Sequence, residues 1–261
     1  MSRRARMWLL APALAGFLGL LVWGMTGLPH SGSRQGAVAH TIARVAVPER
    51  KATNVVTSVT LDYRGFDTLG EEMILFSAAL GLVMLLREQR DEHVEEPDDD
   101  EESEDRRPPP TSDALRVLSL ALVGPTVLVG LYIVAHGALT PGGGFQGGVI
   151  LATSALLVYL AGKYLVMRDL TPIPALEMGE AAGAAGFALI GLGGLIASAV
   201  YLDNFIPLGT PKSILSGGTI PFLYIAIGCE VAGAFLLTFL EFLEQTLRVR
   251  GGGRTRSRSR A

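Results

Sequence analysis

The chain has 261 residues, a formal net charge of −3, and 49% hydrophobic against 18% charged residues. That balance, with 32 glycines and a positive mean hydropathy, excludes an ordinary soluble globular protein and points to a polytopic membrane protein. A single cysteine, Cys229, excludes an internal disulfide framework and leaves no cysteine spacing for a metal.

Three arginines within residues 1–6 precede an apolar run over residues 7–26. A secretory signal begins in the same way, and Ala37-Val-Ala39 resembles a cleavage site. It lies too far past the apolar core, however, and that core is as long as a spanning helix, so a retained transmembrane helix is expected. Residues 29–63 are polar and mixed and read as an extramembrane connection. Within them Val55, Val56, Val59 and Leu61 fit either a short strand or an amphipathic surface helix. Asp67 or Thr68 is an N-cap candidate, with Glu71 and Glu72 in the first turn, where the helix dipole favours carboxylates. A second spanning helix is predicted over about 69–86.

The composition then changes abruptly. Twelve acidic residues fall between Glu88 and Asp105, followed by Arg106-Arg-Pro-Pro-Pro110. Such a block repels itself and buries no apolar area, so residues 88–113 are expected to form a disordered linker. It separates a two-helix unit, 1–87, from a four-helix unit, 114–247, and a basic disordered tail, 248–261, comes last. The four helices are predicted near 115–134, 149–166, 181–200 and 220–242. Pro125 lies inside the first of them, where neighbouring helices can re-satisfy freed carbonyls. The third is crowded with glycine and alanine, which permit close helix approach, so it is expected inside the bundle rather than facing lipid.

The fold class expected is thus all-α, a membrane helix bundle of about six transmembrane helices with both termini cytoplasmic. The orientation follows from lysine and arginine placement, since this topology puts the N-terminal arginines, Lys163, Arg168 and the 248–260 arginines inside. The tail would hold the last helix in place beside anionic lipid, and Lys163 would reach the cytoplasmic interface along its apolar stem.

Between the third and fourth helices lies His136-Gly-Ala-Leu-Thr-Pro-Gly-Gly-Gly-Phe-Gln-Gly-Gly148. Residues 142–147 formally match the dinucleotide fingerprint G-x-G-x-x-G, but no strand precedes them and no βαβ unit surrounds them, so the match is rejected. The stretch reads as a tight outward-facing break between helices. His136, at a helix end, is either a packing residue or a group that titrates near neutral pH. Glu230 falls near the middle of the last apolar segment, where a carboxylate is expensive unless paired, protonated or hydrated. It is either part of an ion or proton pathway or a hydrogen-bonded packing residue. Glu177 and Glu180 share one face near a helix start by the cytoplasmic interface, where a dipole-stabilising role is the plainer reading. No nucleophile–base constellation, metal cluster or phosphate loop stands out, so no enzyme activity, metal, cofactor or nucleic-acid partner is expected.

The Gly-rich stretch, with its upstream histidine, Pro141-Gly142-Gly143-Gly144-Phe145 core and following Gln146-Gly147-Gly148, resembles the B subunit (MnhB family) of multisubunit Mrp-type Na+/H+ antiporters. The resemblance covers roughly 112–247. Asn54-Val-Val-Thr and Asp62-Tyr-Arg-Gly-Phe-Asp-Thr-Leu-Gly-Glu71 resemble the C-terminal part of the A subunit and the small E subunit of membrane-bound hydrogenases. The chain is therefore similar to two neighbouring pieces of one complex joined at the acidic linker. The resemblance implies a multi-pass subunit of a bacterial plasma-membrane complex, with other antiporter subunits as partners and Na+ and H+ as transported ions. Glu230, and beside it Glu71, Glu180 and His136, are the candidates for a polar route. A purely structural subunit and a subunit of a hydrogenase or other redox-driven ion pump are the alternatives.

Overall fold

The computed structural model describes residues 3–28, 36–86, 111–162 and 164–258. The acidic linker proper and Lys163 lie outside the described residues. All regular elements among the described residues are helical. They are α1 (Arg3–Thr26), α2 (Ala37–Arg50), α3 (Val55–Ser58), a π-helical turn (Val59–Tyr63) and α4 (Gly65–Leu86), then α5 (Asp113–Ala135), α6 (Gly144–Leu160), α7 (Tyr164–Leu170), α8 (Ile173–Ser198) and α9 (Ile220–Arg258). The chain divides into two compact units at Thr41 and Ile42 rather than at the acidic linker. The first contains α1, whose described side chains from Leu14 to Leu28 are exposed.

Four helices are long and apolar enough to cross a membrane: α4, α5, α8 and the Ile220–Leu243 part of α9. Leu14–Thr26 in α1 and the whole of α6 are shorter apolar helices. The protein is therefore a multi-pass membrane helix bundle; of the two other expected spans, α6 with 17 residues is at the short end of the spanning range and the Leu14–Thr26 part of α1 falls below it.

Local chemistry accounts for the helix ends. Asn54 caps α3 by accepting from Val56 N at 3.2 Å, and Ser112 caps α5 by accepting from Leu115 N at 3.3 Å. The segment around Val55–Leu61 is thus helical, not a strand. Neither Asp67 nor Thr68 caps α4, which already starts at Gly65 and holds Asp67 in its first turn. Pro172 precedes α8 and Pro174 sits in its first turn, a placement that suits proline because those N–H groups lack intrahelical partners. That start, eight residues before the expected one, carries Glu177 and Glu180 into the helix body. The last helix continues to Arg258, past the boundary expected at residue 247.

In the second unit α9 is the central helix and packs against α4, α5, α6 and α8. Leu223, Tyr224, Ile227, Val231 and Leu237 are buried along it. The expectation that the small-residue helix would occupy the interior is corrected. α8 buries one glycine-bearing face, Gly183, Gly191 and Gly194, while Met178, Leu189 and Ile196 are exposed. The interior falls to α9 because its bulky residues fill the notches that the glycines of α6 and α8 leave. A Cβ on Gly148 would meet Val231 Cβ at 2.8 Å, and one on Gly183 would meet Ala226 O at 2.5 Å.

A buried carboxyl site between three helices

Glu230 sits ten residues into α9, about 15 Å along it at 1.5 Å per residue, and is fully buried. Space for it comes from α8. A Cβ on Gly183 would lie 2.6 Å from Glu230 N and 2.7 Å from Glu230 Cβ. The contact is reciprocal, because a Cβ on Gly233 would lie 3.0 Å from Glu180 N and 3.1 Å from Glu180 Cβ. Two Glu-x-Ala-Gly steps, Glu180 to Gly183 and Glu230 to Gly233, therefore cross antiparallel, each glycine receiving the other helix's glutamate. Glu180 is 5% exposed in consequence.

The third member comes from α4. Thr68, Glu72, Ala79 and Val83 are buried along it, a spacing of four, seven and four that marks one helical face. Glu72 is fully buried there, while Glu71, one residue and about 100° away, is exposed. The carboxyl groups of Glu72 and Glu230 face each other within hydrogen-bonding reach, and Glu180 acts on Glu230 electrostatically. As carboxylates both are acceptors only, so all four of their oxygens, and Oε1 of Glu180, lack a donor among the described residues. A hydrogen bond between them needs one proton. Among the described residues no three His, Cys, Asp or Glu are placed to hold a metal ion.

His136 lies elsewhere. It ends α5, half-buried, its ring stacked on Tyr132 at 4.0 Å with Nδ1 3.2 Å from Tyr132 O. The Gly-rich stretch after it is a docking point for the 52–68 segment. Asn54 Nδ2 donates to Gly137 O at 3.0 Å and Thr140 O at 2.9 Å, and Asn54 N to Ala138 O at 3.0 Å. Thr57 Oγ1 donates to Gly137 O at 2.8 Å and accepts from Tyr224. Gly142 and Gly143 have φ of 151° and 146°, in the region that favours glycine, and a Cβ on Gly144 would collide with Ile227. Pro141 is exposed, Phe145 packs against the core, and Gly147 and Gly148 are buried.

A polar junction stands at the same end. Asp62 pairs with Arg50 at 2.8 Å and accepts from Asn204 Nδ2 at 2.8 Å, while Asn204 Oδ1 accepts from Thr219 N at 2.8 Å. Arg50 also lies over the Tyr63 ring at 5.0 Å, and Tyr63 donates to Glu49 at 2.6 Å. Burial pushes the Asp62 carboxyl above its ordinary value, against the opposing effects of Asn204 and Arg50. Burial, then the bond to Glu49, pushes the Tyr63 phenol up.

Sequence reasoning singled out Glu230 and Glu180 but missed Glu72, Asp62, Asn204 and Tyr224. The helical phase of α4 carried a usable signal for Glu72, and the repeated Glu-x-Ala-Gly steps carried one for the α8–α9 crossing. Asp62 and Asn204, 142 residues apart, carried none.

Buried carboxyls inside a lipid-crossing bundle define the class: a polytopic membrane protein with buried carboxyl groups in its interior. A family profile described as "Domain related to MnhB subunit of Na+/H+ antiporter" matches residues 114–237, and another, for the E subunit of MBH, matches residues 2–101. An uncharacterized protein of Methanocaldococcus jannaschii is 30% identical over 211 residues, covering 74% of this chain and 79% of that protein. The chain belongs to the MnhB-related family of membrane subunits. A Rhizobium meliloti protein, named as a probable K(+)/H(+) antiporter A/B subunit, is 28% identical over 173 residues, 61% of this chain but 17% of that protein. Among solved structures, a chain of the membrane-bound sulfane sulfur reductase, an archaeal respiratory membrane complex, is 29% identical with a TM-score of 0.64. That match covers 93% of this chain and 99% of the other. A chain of the Mrp complex from Dietzia sp. DQ12-45-1b shares the fold at a TM-score of 0.65 and 24% identity, over 92% of this chain and 26% of the other.

Proposed function

We propose that this chain is a non-enzymatic membrane subunit of a multisubunit antiporter that exchanges a monovalent cation, sodium or a related ion, for protons. Glu230, with Glu180, contributes to the polar route, and Glu71, exposed on α4, and His136, at the C-terminal end of α5, are its lesser candidates. The observation that carries the reading is the fully buried Glu230 carboxyl in the middle of the last span of an MnhB-related chain. A carboxylate held there without a donor is expensive unless it meets an ion or a proton. Both termini are cytoplasmic and the Gly-rich stretch faces outward. In support, residues 54–57, 137–140 and 204–219 gather at one end of the bundle, as outward connections should. Arg116 bonds Ala161 O at the other end.

Affinity purification followed by ion flux in vesicles tests the proposal. Other membrane subunits should co-purify, and an imposed proton gradient should drive cation movement that stops when the gradient is collapsed. A preparation of this chain alone that exchanges ions contradicts the subunit reading. A second reading, a subunit of a redox-driven pump, is favoured by the sulfane sulfur reductase chain being matched over nearly its whole length. Co-purification of a large partner with metal-cluster cysteines would select it.

A further inference from the structure

The antiport reading leaves open where inside the chain a transported charge would rest. We infer that Glu72 and Glu230 form a buried two-carboxyl site that holds one positive charge at a time, a proton or a dehydrated monovalent cation, and that Gly183 positions Glu230 in it. The inference deepens the antiport proposal and rests on it for the identity of the cation.

The pair's geometry is that of a site, not of a surface acidic cluster. Both side chains are 0% exposed, and neither has a donor among the described residues. A third buried and incompletely partnered carboxyl, Glu180 on α8, packs against Gly233 one turn along α9 from Glu230 and acts on Glu230 electrostatically. Two facing carboxylates with nothing between them repel each other and have lost their water, so the empty, doubly ionised state is the least favourable. One proton makes the pair a hydrogen-bonded acid–carboxylate couple. One bare cation is held by the same oxygens, and carboxyl oxygens are the ligands hard cations prefer. When a cation enters, the remaining O–H bond breaks, one proton leaves, and the site keeps a charge of −1. Exchange is therefore locally electroneutral.

The surroundings restrict which groups share in this. Glu72 from α4 and Glu180 from α8 are the titratable groups facing Glu230, with Glu71 and Glu177 acting on them from the flanks. From the other sides α6 has no charged residue, and α5 has none between Leu118 and Ala135. No lysine or arginine in the described spans stands near enough to act as a fixed counter-charge on the pair. Within the described spans of this chain the positive charge is thus left to a mobile ion. Gly183 matters because any Cβ there lies 2.6 Å from Glu230 N, a backbone contact that cannot yield without shifting α9 and withdrawing Glu230 from Glu72.

The purified complex tests this by infrared spectroscopy at fixed pH, with sodium or potassium chloride added and choline chloride as the control. A protonated carboxyl band should fall as sodium or potassium is added and should not respond to choline, and this cation response should be lost in Glu72→Gln and in Glu230→Gln. It should persist in Glu180→Gln. In vesicles each single Gln variant should lose about tenfold or more of cation–proton exchange, and the double variant should lose no more than either single one. Losses that multiply, or a cation-sensitive band that survives either substitution, overturn the inference. Where a Gln variant fails to assemble, Glu72→Asp decides, since it keeps the acid but shortens its reach. It should retain the band and require more cation to diminish it, and an unchanged cation requirement overturns the site. A wild-type band that responds to cations without any exchange in vesicles supports the site and removes the antiport reading. Exchange without such a band does the reverse.

Discussion

Asp62 makes a pH dependence that can be worked out at a single residue. Burial is the largest influence on its carboxyl and raises its proton affinity in the folded chain above the reference value of 3.8, although Asn204 and Arg50 pull the other way. A raised folded value means the native state holds the proton more tightly than the unfolded state. The associated stability is fully present below pH 3.8 and is lost as the pH rises through the folded value. Asp62→Asn keeps a carbonyl acceptor for Asn204 and removes the titration. Thermal unfolding of the detergent-solubilised protein from pH 4 upward should show a smaller decline for the variant than for the wild type. Near neutral pH the two should lie within about 1 kcal/mol, because the lost Arg50 pair offsets the relieved burial cost. Identical slopes would remove Asp62 as their source.

Helices were the most legible part of the chain, and their interlocking was the least. Length and apolarity marked every span, and Asn54 and Ser112 cap helices as their chemistry suggests. The start of α8 was misplaced because Glu177 and Glu180 look like interface charges in a linear reading. Only the facing Gly233 shows that Glu180 is housed inside. The same limitation exchanged the roles of α8 and α9, since a run of small residues shows that close approach is possible but not which helix is approached. Within α6 the glycines are a packing surface toward both α5 and α9. A Cβ on Gly147 would collide with Val134 and lie 2.9 Å from Gly130 O, whereas Gly124 on α5 has open space. Gly147→Ala should therefore cost about 1–3 kcal/mol, as overpacking against backbone does, and should lower the yield of folded protein. Gly124→Ala should be neutral or slightly stabilising, since alanine is the better helix former. Equal behaviour of the two in thermal unfolding would contradict the packing role assigned to α6.

At the scale of the whole molecule, the acidic linker marks a seam in sequence that the folded chain does not respect. Residues before it are built into the helices and loops after it. Asn54 and Thr57 bond the 137–140 backbone, Tyr224 donates to Thr57, Asn204 donates to Asp62, and Glu72 meets Glu230. These contacts are spread from the polar end of the bundle to its interior, and most are hydrogen bonds to backbone or buried groups, which are costly to leave unmade. A covalent connection through the linker should then be dispensable for association. Two polypeptides, one ending and one beginning within residues 96–105, should co-purify when expressed together in the same membrane. Their association should weaken with Asn54→Ala, which removes both side-chain hydrogen bonds to the Gly-rich stretch and leaves the Thr140 carbonyl without that donor. Fragments that insert separately but never associate would mean that the linker, and not this set of contacts, holds the two parts of the site together.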